Sequence, residues 1–377
     1  MDAPTGRRTR NQQRPSRARR GRPRVVTVFG TRPQFIKLAA LWKSLEAAFD
    51  SVLIDSGQHY DWNLSGVFRT EAGVRQPDDH LEIGSAPAAS QIGRIADSLD
   101  GRLAKLAPDA VLVIGDTSTT VGAAIAAAYR GIPLGHIEAG LRSFDQSAPE
   151  EKNRIIADHL ATWRFCPTRT AIAHLKAEGI ARGVFGTGDL MYERWLEWRH
   201  DQRLASRADS PDAYYLATVH RAENVDDHAS LKKLLAILRN LDAPVVFPIH
   251  PRTRNTLQKH RLWGTLTRMK HLRMLNPISH GETLRYTVSA RAVLTDSGGL
   301  QREAYWCGVP CVILRARTEW MELIRAGAGV LTGLDHRLVQ RALSHPRRCR
   351  LVADPVFRQR RPSVNIIRIL ARELAAG

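Results

Sequence analysis

At 377 residues the chain is too long for one ordinary core, so two domains are expected. A composition of 43% apolar and 25% charged residues is that of a globular protein. No run approaches the roughly 18 apolar residues of a membrane span, and no charged-then-apolar leader opens the chain. The net charge of +19 is the unusual total, and it is unevenly placed. Residues 1–24, MDAPTGRRTRNQQRPSRARRGRPR, hold nine arginines and one acid. With almost no apolar residues this segment cannot bury a face, and a disordered tail is expected. It lacks the amphipathic spacing of a transit peptide, and it is the one part that could contact nucleic acid. The remaining +11 is spread over 353 residues, which an enzyme of anionic substrates tolerates. Cys166, Cys307, Cys311 and Cys349 form no CxxC pair or metal-ligand spacing. That usage suits reduced thiols and a cytoplasmic location, with no metal expected.

In chain order, RVVTVFG reads as a buried strand and PQFIKLAALWKSLEAAF as a helix with Pro33 in its first turn. SVLIDSG and AVLVIG (Ala110–Gly115) are further strands, the second followed by the alanine-rich helix VGAAIAAAYRG. IPLGHIE is a strand and PEEKNRIIADHLATW a helix. The rhythm pauses near Thr187–Asp189 and resumes with YYLATVH (strand), SLKKLLAILRNL (helix) and APVVFPIH (strand). ARAVLTDSGG, LQREAYWCG and VPCVILRA read as strand, helix and strand. Strands alternating with helices mean α/β architecture with parallel sheets. The expectation is two Rossmann-like, doubly wound domains facing across a cleft, residues 25–188 and 189–360. The amphipathic stretch 361–377 is expected to pack back on the first.

Ligands of such sheets bind beyond the carboxyl ends of the strands. Those ends carry Gly30-Thr31-Arg32-Pro33, Ser56-Gly57-Gln58-His59, Gly115-Asp116-Thr117, Glu138-Ala139-Gly140, His220-Arg221, His250-Pro251-Arg252 and Asp296-Ser297-Gly298-Gly299. One polar strand end proves nothing, but seven in register are harder to dismiss. In DSGGLQRE, two glycines at a strand-to-helix turn let backbone N–H groups approach an anion. Glu303, one turn on, can accept both hydroxyls of a ribose, although a plain turn with a surface glutamate fits the letters equally well. Asp116, Glu138 and Glu150 fall on neighbouring loops, where like charges shift one another's affinity for protons. The bland alternatives are that Asp116 caps a helix, Glu138 meets Arg142, and Glu150 decorates a helix start.

At VFGTRPQFIKLA, DSGQHYD, GDTSTT, HIEAGLRSFD, PEEKNRI, LATVHRAENVDD, FPIHPRTR and LTDSGGLQREAYWCGVPCVILRARTEWMELI the chain resembles the UDP-N-acetylglucosamine 2-epimerase family. The blocks run in the family's order from about Val25 to Gly333. The resemblance implies the two-domain glycosyltransferase-B type fold, with the nucleotide held mainly by the second domain. It implies a reaction that eliminates UDP across C1–C2 of the sugar to a 2-acetamidoglucal, then adds UDP back after protonation from the other face of C2. By motif, Asp116, Glu138, Glu150 and His220 would be catalytic. Arg32, Lys37, His250, Ser297, Gly298, Gly299 and Glu303 would hold the UDP-sugar. No cofactor is implied, a homodimer is expected, and the product would feed surface polysaccharide.

Two departures stand out. Where the family carries an aromatic-bearing segment near the uracil, the ungapped match is SHGET (Ser279–Thr283). GQHYD also differs from the GQHRxM of members activated by a second UDP-sugar. TRPQFIK and LRSF look like the branch acting on UDP-2,3-diacetamido-glucuronate. The competing readings are a hydrolysing form releasing UDP and N-acetylmannosamine, a glycosyltransferase of the same fold, and a nucleotide-sugar sensor.

Overall fold

The computed structural model describes residues 21–58, 73–201, 214–344 and 357–376, and only the backbone of Arg32. His59, Asp61, Cys349 and most of the arginine-rich segment lie outside these residues. The first sheet is built from β1 (Arg24–Phe29), β2 (Asp50–Asp55), β3 (Asp79–His80), β4 (Ala110–Ile114), β5 (Leu134–Ile137), β6 (Trp163–Cys166) and β7 (Val184–Gly186). Its order is β3-β2-β1-β4-β5-β6-β7, with every pairing parallel. Between the strands run α1 (Arg32–Ala48), α2 (Ala88–Leu106), α3 (Ser118–Tyr129), α4 (Pro149–Leu160) and α5 (Arg169–Ala177), followed by α6 (Leu190–Asp201). Val25, Val26 and Val28 are all fully buried because helices cover both faces, α1 on one and α2 with α3 on the other.

The second sheet repeats the plan with β8 (Tyr215–Thr218), β9 (Val245–Pro248), β10 (Leu272–Leu275), β11 (Ala292–Thr295), β12 (Cys311–Ile313) and β13 (Gly329–Leu331), in the order β10-β9-β8-β11-β12-β13. Its helices are α7 (Ala222–Val225), α8 (His228–Arg239), α9 (Pro251–Lys259), α10 (Trp263–Thr267), α11 (His280–Val288), α12 (Gly298–Trp306), α13 (Met321–Arg325) and α14 (His336–Ser344). The last helix, α15 (Pro362–Ala376), puts Ile366, Leu370 and Leu374 into the apolar cluster beneath α1 of the first sheet. A further cluster joins Ala139 and Leu141 of the first domain to Tyr305, Trp320 and Leu323 of the second, so the two face each other across an apolar floor.

The expected tail boundary at residue 24 is too late. Arg24 opens β1, its amide donating to Asp109 and its guanidinium to Asp50. Several elements escape the letters as well. Strands β6, β7, β10 and β13 have three or four residues each, too short to display a period. Helix α2 carries Ile95, Leu99 and Leu103 at spacings of four, all buried. That spacing lines up one face of a helix.

Candidate active site

In each sheet the strand order reverses beside the first strand, between β1 and β4 and between β8 and β11. Those reversals open a crevice at the carboxyl ends. Gln34 stitches the first one. Its side-chain oxygen accepts from the Gly30 and Thr31 amides at 2.9 and 3.1 Å, and its Nε2 donates to the Ile114 carbonyl at 2.7 Å. Beneath Asp116 and Glu138 lies His136, fully buried on β5. Its Nε2 donates to the Gly115 carbonyl at 2.8 Å, and its Nδ1 sits 2.7 Å from Asp158 Oδ1 on α4.

All three candidate carboxylates reach the crevice, each on a separate cation. Asp116 pairs with Arg154 of α4, and Asn153 donates to its carbonyl at 2.9 Å. Burial pushes the Asp116 carboxyl up, but the charges of Arg154, Lys37 and Arg221 outweigh it and hold it below the usual carboxylate range. Glu138 takes a left-handed backbone, φ +70°, which costs a non-glycine residue about 1–2 kcal/mol. That turn sends its carboxylate between Lys37 Nζ and Arg302, with the Arg302 guanidinium 3.0 Å from Oε1. Burial again acts upward on Glu138, and Lys37 and Arg302 bring it down. Glu150, in the first turn of α4, pairs with Arg221 of the second domain.

From the second domain, His220 follows β8. Its amide and that of Arg221 donate to Asp296, and its ring Nδ1 lies 3.4 Å from Asp296 Oδ1. Burial lowers the proton affinity of the His220 ring, and the Asp296 charge recovers only part of that. His250 stacks on it at 5.1 Å between ring centres, while its Nδ1 accepts from the Arg252 amide at the start of α9. Ser297 caps α12, its hydroxyl accepting from Leu300, and Gly298 and Gly299 form the first turn. Glu303 is buried, with His280 Nε2 2.6 Å from its Oε1.

Gly298 is glycine for a steric reason. A Cβ there would overlap Glu319 Oε1 and stand 3.2 Å from Trp320 Nε1. Glu319 cannot easily swing aside, because Arg315 holds it at 2.9 Å and Arg154 at 3.7 Å. Gly298→Ala is therefore expected to cost about 1–3 kcal/mol locally. The urea midpoint should fall with an unchanged slope. An unmoved midpoint would mean that the turn has room.

With this geometry established, comparison with known proteins decides the family. Residues 43–371 match the family model described as UDP-N-acetylglucosamine 2-epimerase. The chain belongs to the UDP-N-acetylglucosamine 2-epimerase family. A Methanococcus maripaludis "UDP-N-acetylglucosamine 2-epimerase homolog" is 38% identical, over 92% of this chain and 99% of its own length. A Pseudomonas aeruginosa UDP-2,3-diacetamido-2,3-dideoxy-D-glucuronate 2-epimerase is also 38% identical, over 82% of this chain and 88% of its own. Among solved structures, the Methanocaldococcus jannaschii UDP-GlcNAc 2-epimerase in complex with UDP-GlcNAc and UDP superposes with a TM-score of 0.85. It is 33% identical, covering 93% of this chain and 99% of that one. The family's members are isomerases, and this chain carries their two-domain α/β fold.

Cations hold Asp116 and Glu138 below the usual carboxylate range, while the Asp116 charge acts upward on Glu138, as expected of neighbouring like charges. Lys37, expected on the phosphate side, bonds Glu138. The bland partner proposed for Glu138, Arg142, bonds Asp158 and Glu178 instead. Arg221 and Asp296 are legible in the sequence only as strand-end residues. Sequence reasoning does not reach Arg154, Arg302 or Glu319, whose pairs with Asp116, Glu138 and Arg154 span long stretches of chain. Among the described residues, no group of three or more His, Cys, Asp or Glu is arranged to hold a metal, and no helix is long and apolar enough to cross a membrane.

Proposed function

We propose that this chain interconverts UDP-N-acetylglucosamine and UDP-N-acetylmannosamine by elimination and re-addition of UDP. The observation behind this reading is the convergence of Asp116, Glu138 and Glu150, each with its own cation, on the crevice that also receives His220 and the start of α12. In the forward step a carboxylate takes the C2 proton. The C1–O bond breaks, its electron pair leaves on the β-phosphate oxygen, and a C1=C2 double bond forms. In the return step a proton reaches C2 on the other face and the phosphate oxygen reattaches at C1. Two faces call for more than one acid–base group.

Charge bookkeeping supports the same reading. Asp116 and Glu138 are held low and wait as bases at neutral pH. A diphosphate against Ser297, Gly298 and Gly299 of α12 meets the positive helix end. Its charge competes for Lys37, and any weakening of the Lys37–Glu138 pair raises the proton affinity of Glu138 when a proton must be received. His220, held largely neutral by burial, suits hydrogen bonding to the departing phosphate. Glu303, supported by His280, is the assigned ribose ligand, with Arg32 and His250 on the phosphate side. A diacetamido-uronate sugar is the second reading, because the Pseudomonas relative matches the Methanococcus one in identity, 38%, though over less of the chain. We further assign a cytoplasmic homodimer.

The test is proton NMR with UDP-N-acetylglucosamine in heavy water. Deuterium at C2 together with UDP-N-acetylmannosamine is expected. Free N-acetylmannosamine beside UDP would mark a hydrolysing enzyme. An unchanged spectrum here, with exchange on the diacetamido-uronate, would move the assignment to that branch.

A further inference from the structure

Arg302 enters the roles above only as a cation beside Glu138, yet its side chain is held from several parts of the fold. It lies on α12, whose first turn is the proposed phosphate seat, and its side chain is 5% exposed. Its Nε donates to the Gly298 carbonyl at 3.3 Å, inside that turn. The guanidinium carbon lies 4.0 Å above the centre of the Trp320 ring, so the plane is fixed from below by cation–π contact. One side of the fork bonds Asp189, in the short connection between β7 and α6 where the chain passes from one sheet to the other. The same Nη1 also reaches Glu138 Oε1 at 3.0 Å.

Three constraints from three parts of the fold thus fix one guanidinium against one candidate base. A lysine could reach either carboxylate as a point charge, but it would lose the planar fork and the stacking face. The Arg302 Nη1 is shared by two acids, and burial raises the Asp189 carboxyl above the usual range while the Arg302 charge acts downward. Resting on the 2-epimerase reading, we propose that Arg302 is a positioning residue for Glu138: it holds the carboxylate in its left-handed turn and ties its orientation to the α12 phosphate turn and to the interdomain connection.

The experiment compares Arg302→Gln and Arg302→Lys with the parent protein. In the exchange assay, Arg302→Gln is expected to lower kcat on the order of 100-fold, with KM within about threefold and UDP affinity, read by calorimetry, unchanged. The acid limb of its pH–rate profile should move upward, because Glu138 loses one of the cations that keep it ionised. Arg302→Lys should recover part of kcat and return the limb toward the parent. A kcat within about threefold of the parent, or a loss of kcat with the limb unmoved, would overturn the proposal. Should the parent exchange neither sugar, the 2-epimerase reading fails separately. A carbon-13 titration of labelled glutamate, with the Glu138 signal identified by Glu138→Gln, then decides Arg302 without substrate: an unmoved midpoint in Arg302→Gln refutes it and an upward one supports it. Should Arg302→Gln unfold, Arg302→Met, uncharged and of similar length, carries the same titration.

Discussion

Replacing Glu138 with glutamine lowers the rate of C2 proton exchange on the order of 10²–10⁴-fold, the range a positioned acid–base group contributes. The amide keeps the shape and one acceptor for Arg302 but cannot take a proton from C2. Asp116→Asn should fall in the same range, because Asp116 and Glu138 are both partly buried carboxylates held ionised at the crevice. UDP affinity should stay within about threefold for both variants, since neither side chain lies at the α12 turn or beside Glu303. Calorimetry with UDP and the heavy-water assay together read the two quantities. Loss of UDP affinity equal to the loss of rate would show that these acids shape the cleft without transferring protons. A non-additive double variant would point to one linked unit.

The sequence announces these acids because of where they stand. Asp116 comes two residues after a buried apolar strand and Glu138 directly after another, where a charge has no solvent reason to be. The fold class is legible for a related reason: strands buried on both faces must be written as continuous apolar runs. The partners of the acids are not legible. Arg302 sits in LQREA, a stretch in which a basic residue on a helix reads as a solvated face, and its carboxylate lies 164 positions earlier. Arg154 in PEEKNRI and Glu319 in ARTEW have the same disguise, although each is about 5% exposed. Pairing across two domains leaves no local period, so no window of the chain reports it. His280 is a milder case. SHGET lacks the expected aromatic, yet its histidine meets Glu303 at 2.6 Å, a contact only the packing of α11 on α12 creates.

The largest effect on stability is expected one layer below the site, at Asp158. This carboxylate is fully buried on α4 and meets His136 Nδ1 at 2.7 Å, Arg142 Nη1 at 2.7 Å and the Gly140 amide at 3.0 Å. Asp158→Ala leaves the buried Arg142 and His136 short of a partner, which costs about 3–5 kcal/mol. In urea the midpoint should fall with an unchanged slope. Asp158→Asn, which keeps one acceptor, should lose less. Burial acts upward on Asp158, while His136 and Arg142 win and bring the folded value below the ordinary one. The unfolded chain therefore binds its proton more readily than the folded one. The stabilisation is fully present above the unfolded value near 3.9 and is lost as pH falls through the folded one. The gap between parent and variant should accordingly be widest at neutral pH and narrow under acid. A gap of the same size at pH 7 and pH 3 would mean that the loss is one of packing and not of charge. The same network ties Gly115 and Gly140 to α4, so Asp158→Asn should also lower kcat by loosening the backbone on both sides of Asp116 and Glu138, with UDP affinity preserved in the second domain.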